Sequence, residues 1–451
     1  MNKVNLTKYS SGGIGELLSI AWPMILTSAV SSLMVMVDRM ILSRYSVEAF
    51  NACFGAIQWC WALYFTPLEF TFIAEVFVGQ YNGARRFREI GPLIWQMIWL
   101  CLALFALFIP IALWGPPLLL ADNIAQLGIP YMRIILLFIP IAVIGYGALV
   151  AFFVGRGETK IVSVATIISG ILNAILDCIL IFGWGGIPEY GIVGAAVATV
   201  ISQSLLTLLL FCIFLKKSNR EIYGTGQICF RPKLLKQCLK VGSPNALNRL
   251  ISSFIWATMT QIIVKHVTEV EFQGYSISHS IYLLFYPVVE GISAGVRTVC
   301  SNAIGARTFE IVRKNIRSWL FLAIISIIFS LLGMVIYPDG FIGLFLKEMG
   351  GSEAYGIARH MLHWAWFVFA LDVIVMNALS VLLASGDTKF TMLVNTLSFF
   401  LFAVLPTYIA IVYFHCGSVI FWQFFILDSS IRLLCFILRY RSGRWVRGRI
   451  I

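Results

Sequence analysis

Twelve apolar stretches, each about 20 residues or longer and joined by short polar segments, leave this chain little choice of fold. They run over approximately 15–43, 48–78, 90–114, 126–153, 160–183, 191–215, 240–265, 273–303, 313–337, 355–384, 390–414 and 417–440. A helix rising ~1.5 Å per residue needs about 20 residues to cross roughly 30 Å of hydrocarbon. Backbone polar groups cannot be left unpaired in lipid, so stretches of this length predict helices. With 60% hydrophobic and 12% charged residues and a mean hydropathy of +0.90, the chain lies far from the roughly 45–50% apolar content of soluble domains. The expected fold is an all-α membrane protein of twelve transmembrane helices.

A net charge of +12 would suit nucleic acid, but the basic residues fall in short clusters between apolar runs. There they set topology, so no nucleic-acid partner is expected. They gather in the N-terminal tail, after the even-numbered runs (Arg85, Arg86, Arg88; Arg156, Lys160; Lys216 to Lys240; Arg307, Arg313, Lys314, Arg317; Lys389) and in the C-terminal tail. Both termini are therefore predicted cytoplasmic, with the chain in the inner or plasma membrane of the cell. The odd-numbered joints are nearly free of basic residues, Lys347 being the main exception; Pro116-Pro117, Gly185-Gly186 and Gly350-Gly351 there read as tight outer turns. The ten cysteines form no Cys-x-x-Cys pair and read as small hydrophobes. Residues 1–12 lack the pattern of a removable signal peptide.

The two halves of the chain echo each other. Gln80-Tyr81-Asn82-Gly83-Ala84-Arg85-Arg86-Phe87 returns as Asn302-Ala303-Ile304-Gly305-Ala306-Arg307-Thr308-Phe309. Gly157-Glu158-Thr159-Lys160 returns as Gly386-Asp387-Thr388-Lys389, and Trp22-Pro23 as Ser243-Pro244. Six runs separate each echo from its partner, so the halves share one orientation and predict two six-helix bundles related by a pseudo-twofold axis along the membrane normal. The expected division is an N-terminal lobe 1–220, a cytoplasmic linker 221–239 and a C-terminal lobe 240–451. A cleft between such bundles reaches the midplane, where transporter substrates bind.

Charges inside the apolar runs need a reason, since each costs about 2.5–3.5 kcal/mol at the bilayer centre. Asp38, Asn173, Asp177 and Thr199, on runs one, five and six, fall at similar depth in the N-terminal half. Their oxygens suit a small hard cation, and two facing carboxyls can share a proton: an Na+ or H+ site. The alternative is structural, with Asp38 paired to Arg39 or Arg44 and the amide and hydroxyl bonding across helices. In the C-terminal half, Glu290 and Asp372 lie near the midplane as candidates for a cation or the substrate, with Arg249 a candidate neutraliser of Glu290. Glu69 and Glu75 read as structural, close to Arg85. Trp59, Tyr64, Phe285 and Tyr286, on the second run of each half, are candidates to line the cleft and stack on flat or cationic ligands. His360 and His363 have helical spacing but no third metal ligand nearby, and read as interfacial. No phosphate loop, nucleophile elbow or His-Glu-x-x-His pattern is present, so no enzyme and no cofactor are expected.

Taken together, Trp22-Pro23, Val37-Asp38, Gly79-Gln80 with Gly83-Ala84, Gly157-Glu158-Thr159-Lys160, Asn173 with Asp177, the run from Gly191 through Gly194-Ala195-Ala196 to Ala198-Thr199, and Gly386-Asp387-Thr388 resemble the multidrug and toxic compound extrusion (MATE) transporters. The resemblance covers nearly the whole chain. It implies cation-coupled antiport between two lobes, exporting an amphipathic or cationic organic compound, with Na+ or H+ taken by Asp38, Asn173, Asp177 and Thr199 and with Pro23 as a hinge. It also implies that Asp372 matches an acidic position used for cation binding in one branch. That branch's acid on the seventh run is missing here, with Ser252 near its place and Arg249 one turn away. A monomer in contact with membrane lipid is expected. The alternative function is a flippase for lipid-linked sugar precursors or other lipids, for which Arg249 and Arg297 are the basic groups at hand.

Overall fold

The structure, a computed structural model, describes residues 6–120, 122–345 and 353–448. Lys347, Gly350 and Gly351, the exception and one of the turns expected on the outer side, lie outside the described residues. The described chain is helical. Its long helices are α1 (Ile14–Tyr45), α2 (Val47–Gly83), α3 (Phe87–Trp114), α4 (Ile124–Val154), α5 (Thr159–Phe182), α6 (Gly191–Phe214), α7 (Pro232–His266), α8 (Glu269–Gly305), α9 (Phe309–Ile336), α10 (Glu353–Ser385), α11 (Thr388–Val412) and α12 (Val419–Arg441). A short helix, Lys217–Tyr223, precedes α7.

Every expected run is a helix, and eleven are apolar enough to cross a bilayer by composition alone. The exception is α7, which begins at Pro232 rather than near 240 and carries Lys233, Lys236, Lys240, Asn245, Asn248 and Arg249. Pro232 sits at its first position, where a missing N–H costs nothing. The segment 221–239, expected as linker, thus holds the end of the short helix and the first turns of α7.

Local structure repeats with the sequence. Arg85 and Arg307, at matching places in the two Gly-Ala-Arg loops, have φ of 60° and 58°. Gly157 and Gly386, opening the second echo, have φ of 81° and 88°, a left-handed conformation that glycine adopts freely. Prolines recur too, Pro23 with Pro244 and Pro67 with Pro287, each inside a helix.

Packing follows the same symmetry. In the N-terminal bundle α1 lies along α5, α4 along α6, and α2 along α4; in the C-terminal bundle α7 lies along α11, α10 along α12, and α8 along α10. The bundles exchange helix ends: Leu17 and Ala21 of α1 sit in the C-terminal core, and Cys238 of α7 sits in the N-terminal core. α1 runs along α8, and α7 along α2.

The bundles close on the side that carries the termini. Added Cβ atoms on Gly83 and Gly305 would collide with the backbone of Asn302 and Gln80, so only glycine lets α2 and α8 approach this closely. Asn82 Nδ2 donates to Asn302 Oδ1 at 2.7 Å, Asn302 Nδ2 to the Gly155 carbonyl at 2.8 Å, and Gln80 Nε2 to the Ala384 carbonyl at 2.8 Å. The Glu75–Arg297 ion pair at 2.7 Å lies above them. Among the described residues the hydrogen bonds joining the bundles lie on this side or at the level of Asn245, which donates to Glu69 at 2.7 Å. The cleft therefore opens away from the termini.

Candidate functional site

α1 and α5 run parallel in a fixed register. An added Cβ on Gly170 would stand 3.0 Å from Val30, and the rings of Tyr45 and Phe182 are 6.0 Å apart, nearly the same offset along the two helices. That register puts Asp38 against Asp177, so that each carboxyl group is the other's acidic neighbour. α6 runs antiparallel to α5, with Ser169 Oγ donating to the Ser202 carbonyl at 2.7 Å. One turn further out on both helices, Asn173 and Thr199 come to the same level. The four side chains thus share one depth in the N-terminal bundle.

Asn173 and Asp177 are wholly buried. Among the described residues nothing donates to or accepts from the Asn173 amide, and no amide or hydroxyl donates to either Asp177 oxygen or to Asp38 Oδ1. Buried polar atoms are nearly always satisfied, so such a concentration of unmet ones marks a place built for something other than stability. The Arg39 guanidinium lies over the rings of Phe54 and Trp61, at 5.2 and 5.5 Å from their centres. No ion pair joins Asp38 to Arg39 or Arg44 among the described residues. Cys53 and Tyr131, neighbours of each other, border the acids from α2 and α4. The oxygens of Asp38, Asp177, Asn173 and Thr199 form a hard donor set that fits a small monovalent cation or a proton.

At the floor of the cleft, Glu290 of α8 is exposed and lies beside Ser28 of α1. Glu69, Arg249 and Arg297 are its charged neighbours. Arg249 does not form an ion pair with Glu290; its guanidinium packs 4.4 Å from the Phe65 ring centre, with Nε buried and unpartnered. Trp59 is 37% exposed on α2, and Tyr64 packs beside Phe65. Tyr286 lies between Glu290 and Asp372.

Several expectations need correction. Phe285 does not line the cleft: it is buried among Phe329, Phe341 and Phe369, because the helical step from Tyr286 turns it into the C-terminal core. Glu75 pairs with Arg297 across the bundles and accepts from Thr298, far from its expected neighbour Arg85. Asp372 faces neither cleft nor open cation site. It accepts from Tyr282 (2.7 Å), Ser429 (3.0 Å) and Arg432 (3.3 Å) inside the C-terminal bundle. The i,i+4 pair Asp428 and Arg432 within an apolar run was the available signal for this network.

Two pseudo-equivalent helical bundles around a cleft, with unsatisfied acids buried in one, define a membrane transporter. The MatE family model matches this chain twice, over residues 23–179 and 244–409. The chain belongs to that family, the MATE multidrug efflux transporters, which are integral membrane proteins acting on small molecules and not enzymes. It is 23% identical over 448 residues to the probable multidrug resistance protein NorM of Thermotoga maritima, covering 97% of this chain and 94% of that one. It is 24% identical to the uncharacterized transporter YisQ of Bacillus subtilis, covering 96% and 95%. Among solved structures, a MATE in complex with MaD3S aligns with a TM-score of 0.86 at 18% identity over 97% of both chains. A multidrug resistance MATE transporter in the outward-facing conformation aligns with a TM-score of 0.84 over the same shares.

Proposed function

We propose that this protein is a secondary antiporter that exports amphipathic or cationic organic compounds in exchange for Na+ or H+. The observation that carries this reading is the buried pair Asp38–Asp177 with the Asn173 amide and both Asp177 oxygens unmet, and with Thr199 at the same level. A cation or proton entering from the open side neutralises two carboxyls that repel each other in a dry site. Asp38 rides on α1, whose inner end belongs to the opposite core, so a change in its charge acts on the contact between the bundles. Pro23, between those two regions, supplies the bend.

Cation and substrate need not touch; each has only to prefer a different arrangement of the bundles. Glu290, Glu69 and Glu75 face two guanidiniums, Arg249 and Arg297, an excess of acids that favours a cationic compound, and Trp59 and Tyr64 offer aromatic faces. Arg297 is held by Glu75, which removes one of the two basic groups a lipid-pyrophosphate flippase would need. In this reading the termini are cytoplasmic, the outer face is the open one, and the transporter works as a monomer of two lobes divided at residues 221–239. Export of a fluorescent cationic dye from cells carrying Asp38→Asn or Asp177→Asn tests the proposal. Loss of export supports it; unaltered gradient-dependent export in both variants would remove the coupling role.

A further inference from the structure

The C-terminal bundle holds an acid pair of its own. Asp372 on α10 and Asp428 on α12 both contact the Arg432 guanidinium, at 3.3 and 2.9 Å from Nη2. Three hydroxyls complete the cluster: Tyr282 and Ser429 donate to Asp372, and Ser398 donates to Asp428 Oδ1 at 2.6 Å. Arg432 Nη2 also reaches Ser429 Oγ at 2.9 Å. All six side chains, from α8, α10, α11 and α12, are more than nine-tenths buried. The oxygen chemistry matches that of the N-terminal site, with two carboxylates and nearby hydroxyls between packed helices. The difference is the guanidinium.

We propose that Arg432 is the resident cation of the C-terminal bundle. Its tethered charge fills the Asp372–Asp428 pair, closes that pair to a free monovalent cation, and leaves the N-terminal site to handle the coupling ion. The last clause rests on the function proposed above; the first two do not. A guanidinium fixed to α12 is always present at the pair, and its Nη2 meets both carboxylates at once, a contact that a small ion must displace at the cost of stranding a buried charge. Removing the guanidinium leaves two buried carboxylates facing each other, which a dry site tolerates only if a cation or protons replace the lost charge. The family resemblance of Asp372 to a cation-binding acid therefore does not carry through to this chain, because the position is already neutralised from within.

The test uses the full-length protein in detergent, with Asp38→Asn and Asp177→Asn installed to silence the N-terminal acids. Its melting temperature is followed as sodium chloride replaces choline chloride at constant ionic strength. With Arg432 intact, sodium should produce no shift. Adding Arg432→Gln should create a saturable sodium-dependent rise that disappears with Asp372→Asn, whereas Arg432→Lys, which keeps a tethered charge, should stay blind to sodium. Folding of the Arg432→Gln protein only when purified in sodium counts as the same gain. A sodium shift that depends on Asp372 while Arg432 is intact overturns the assignment, and so does a folded Arg432→Gln protein that ignores sodium. If Arg432→Gln folds in neither salt, Asp428→Asn in the same background decides: the guanidinium still covers Asp372, and any sodium-dependent shift there contradicts the proposal. Failure of the N-terminal reading shows separately, as unchanged cation-driven transport when only Asp38 and Asp177 are replaced.

Discussion

Asp177 has both carboxylate oxygens buried and meets only another carboxyl, that of Asp38. Such a pair contributes nothing to stability as it stands, which is why its value must lie in what it takes up. Coupling free energies of ~1–3 kcal/mol correspond to roughly 5–150-fold changes, and gradient-driven export by Asp177→Asn should fall within about that span while the melting temperature holds or rises. Asp38, Asn173, Asp177 and Thr199 were legible because charges and amides stand out in an apolar run and counting residues gives their depth. The meeting of Asp38 with Asp177 was not legible, since it depends on the rotation of α1 against α5. Nor was the fate of Asp372: counting residues gives a depth along α10, and Arg432, sixty residues on, reaches it from a different helix. A second residue-scale prediction concerns the repeated turns. Gly157→Ala and Gly386→Ala force a Cβ into left-handed backbone and should each cost about 1–2 kcal/mol, read as a lowered melting temperature.

Among the elements, α1 combines three features that belong to different tasks: Asp38 in its outer half, Pro23 in its inner half, and an inner end embedded in the opposite core. The Thr27 hydroxyl donates to the Pro23 carbonyl at 2.9 Å, a local bond that competes with straight helix. A proline inside a helix costs ~3 kcal/mol or more, so Pro23→Ala should raise thermal stability and slow export several-fold. Unchanged export alongside raised stability would show that α1 does not bend in the cycle. Helix existence was legible for eleven of the elements because apolar length alone decides it in a bilayer, and for α7 from the repeat of the first bundle. The start of α7 was not, since its first turns are polar and rest on the N-terminal bundle rather than in lipid.

At the scale of the molecule, the repeated Gly-Ala-Arg loops do more than mark an ancestral doubling. They meet each other, Asn82 on Asn302, and close one face of the protein while the other stays open. In a background lacking the ten natural cysteines, Asn82→Cys with Asn302→Cys should be bridged by a short thiol-reactive crosslinker. Export should stop on bridging and return when a cleavable linker is cut; continued export of the bridged protein would mean that this face never opens. The doubling itself was legible from the echoes, but the exchange of helix ends between cores was not, because apolar residues carry no mark of which bundle they join.

The central claim is that cation passage through the Asp38–Asp177 site and movement of an organic compound are one process. Its most direct test is to impose a gradient of a cationic dye alone across vesicles containing the purified protein and to record Na+ and H+ movement in the opposite direction. The account predicts that dye entry drives one of these ions out, and that Asp38→Asn with Asp177→Asn abolishes the exchange. Dye crossing through the wild-type protein with no opposing cation flux would contradict it.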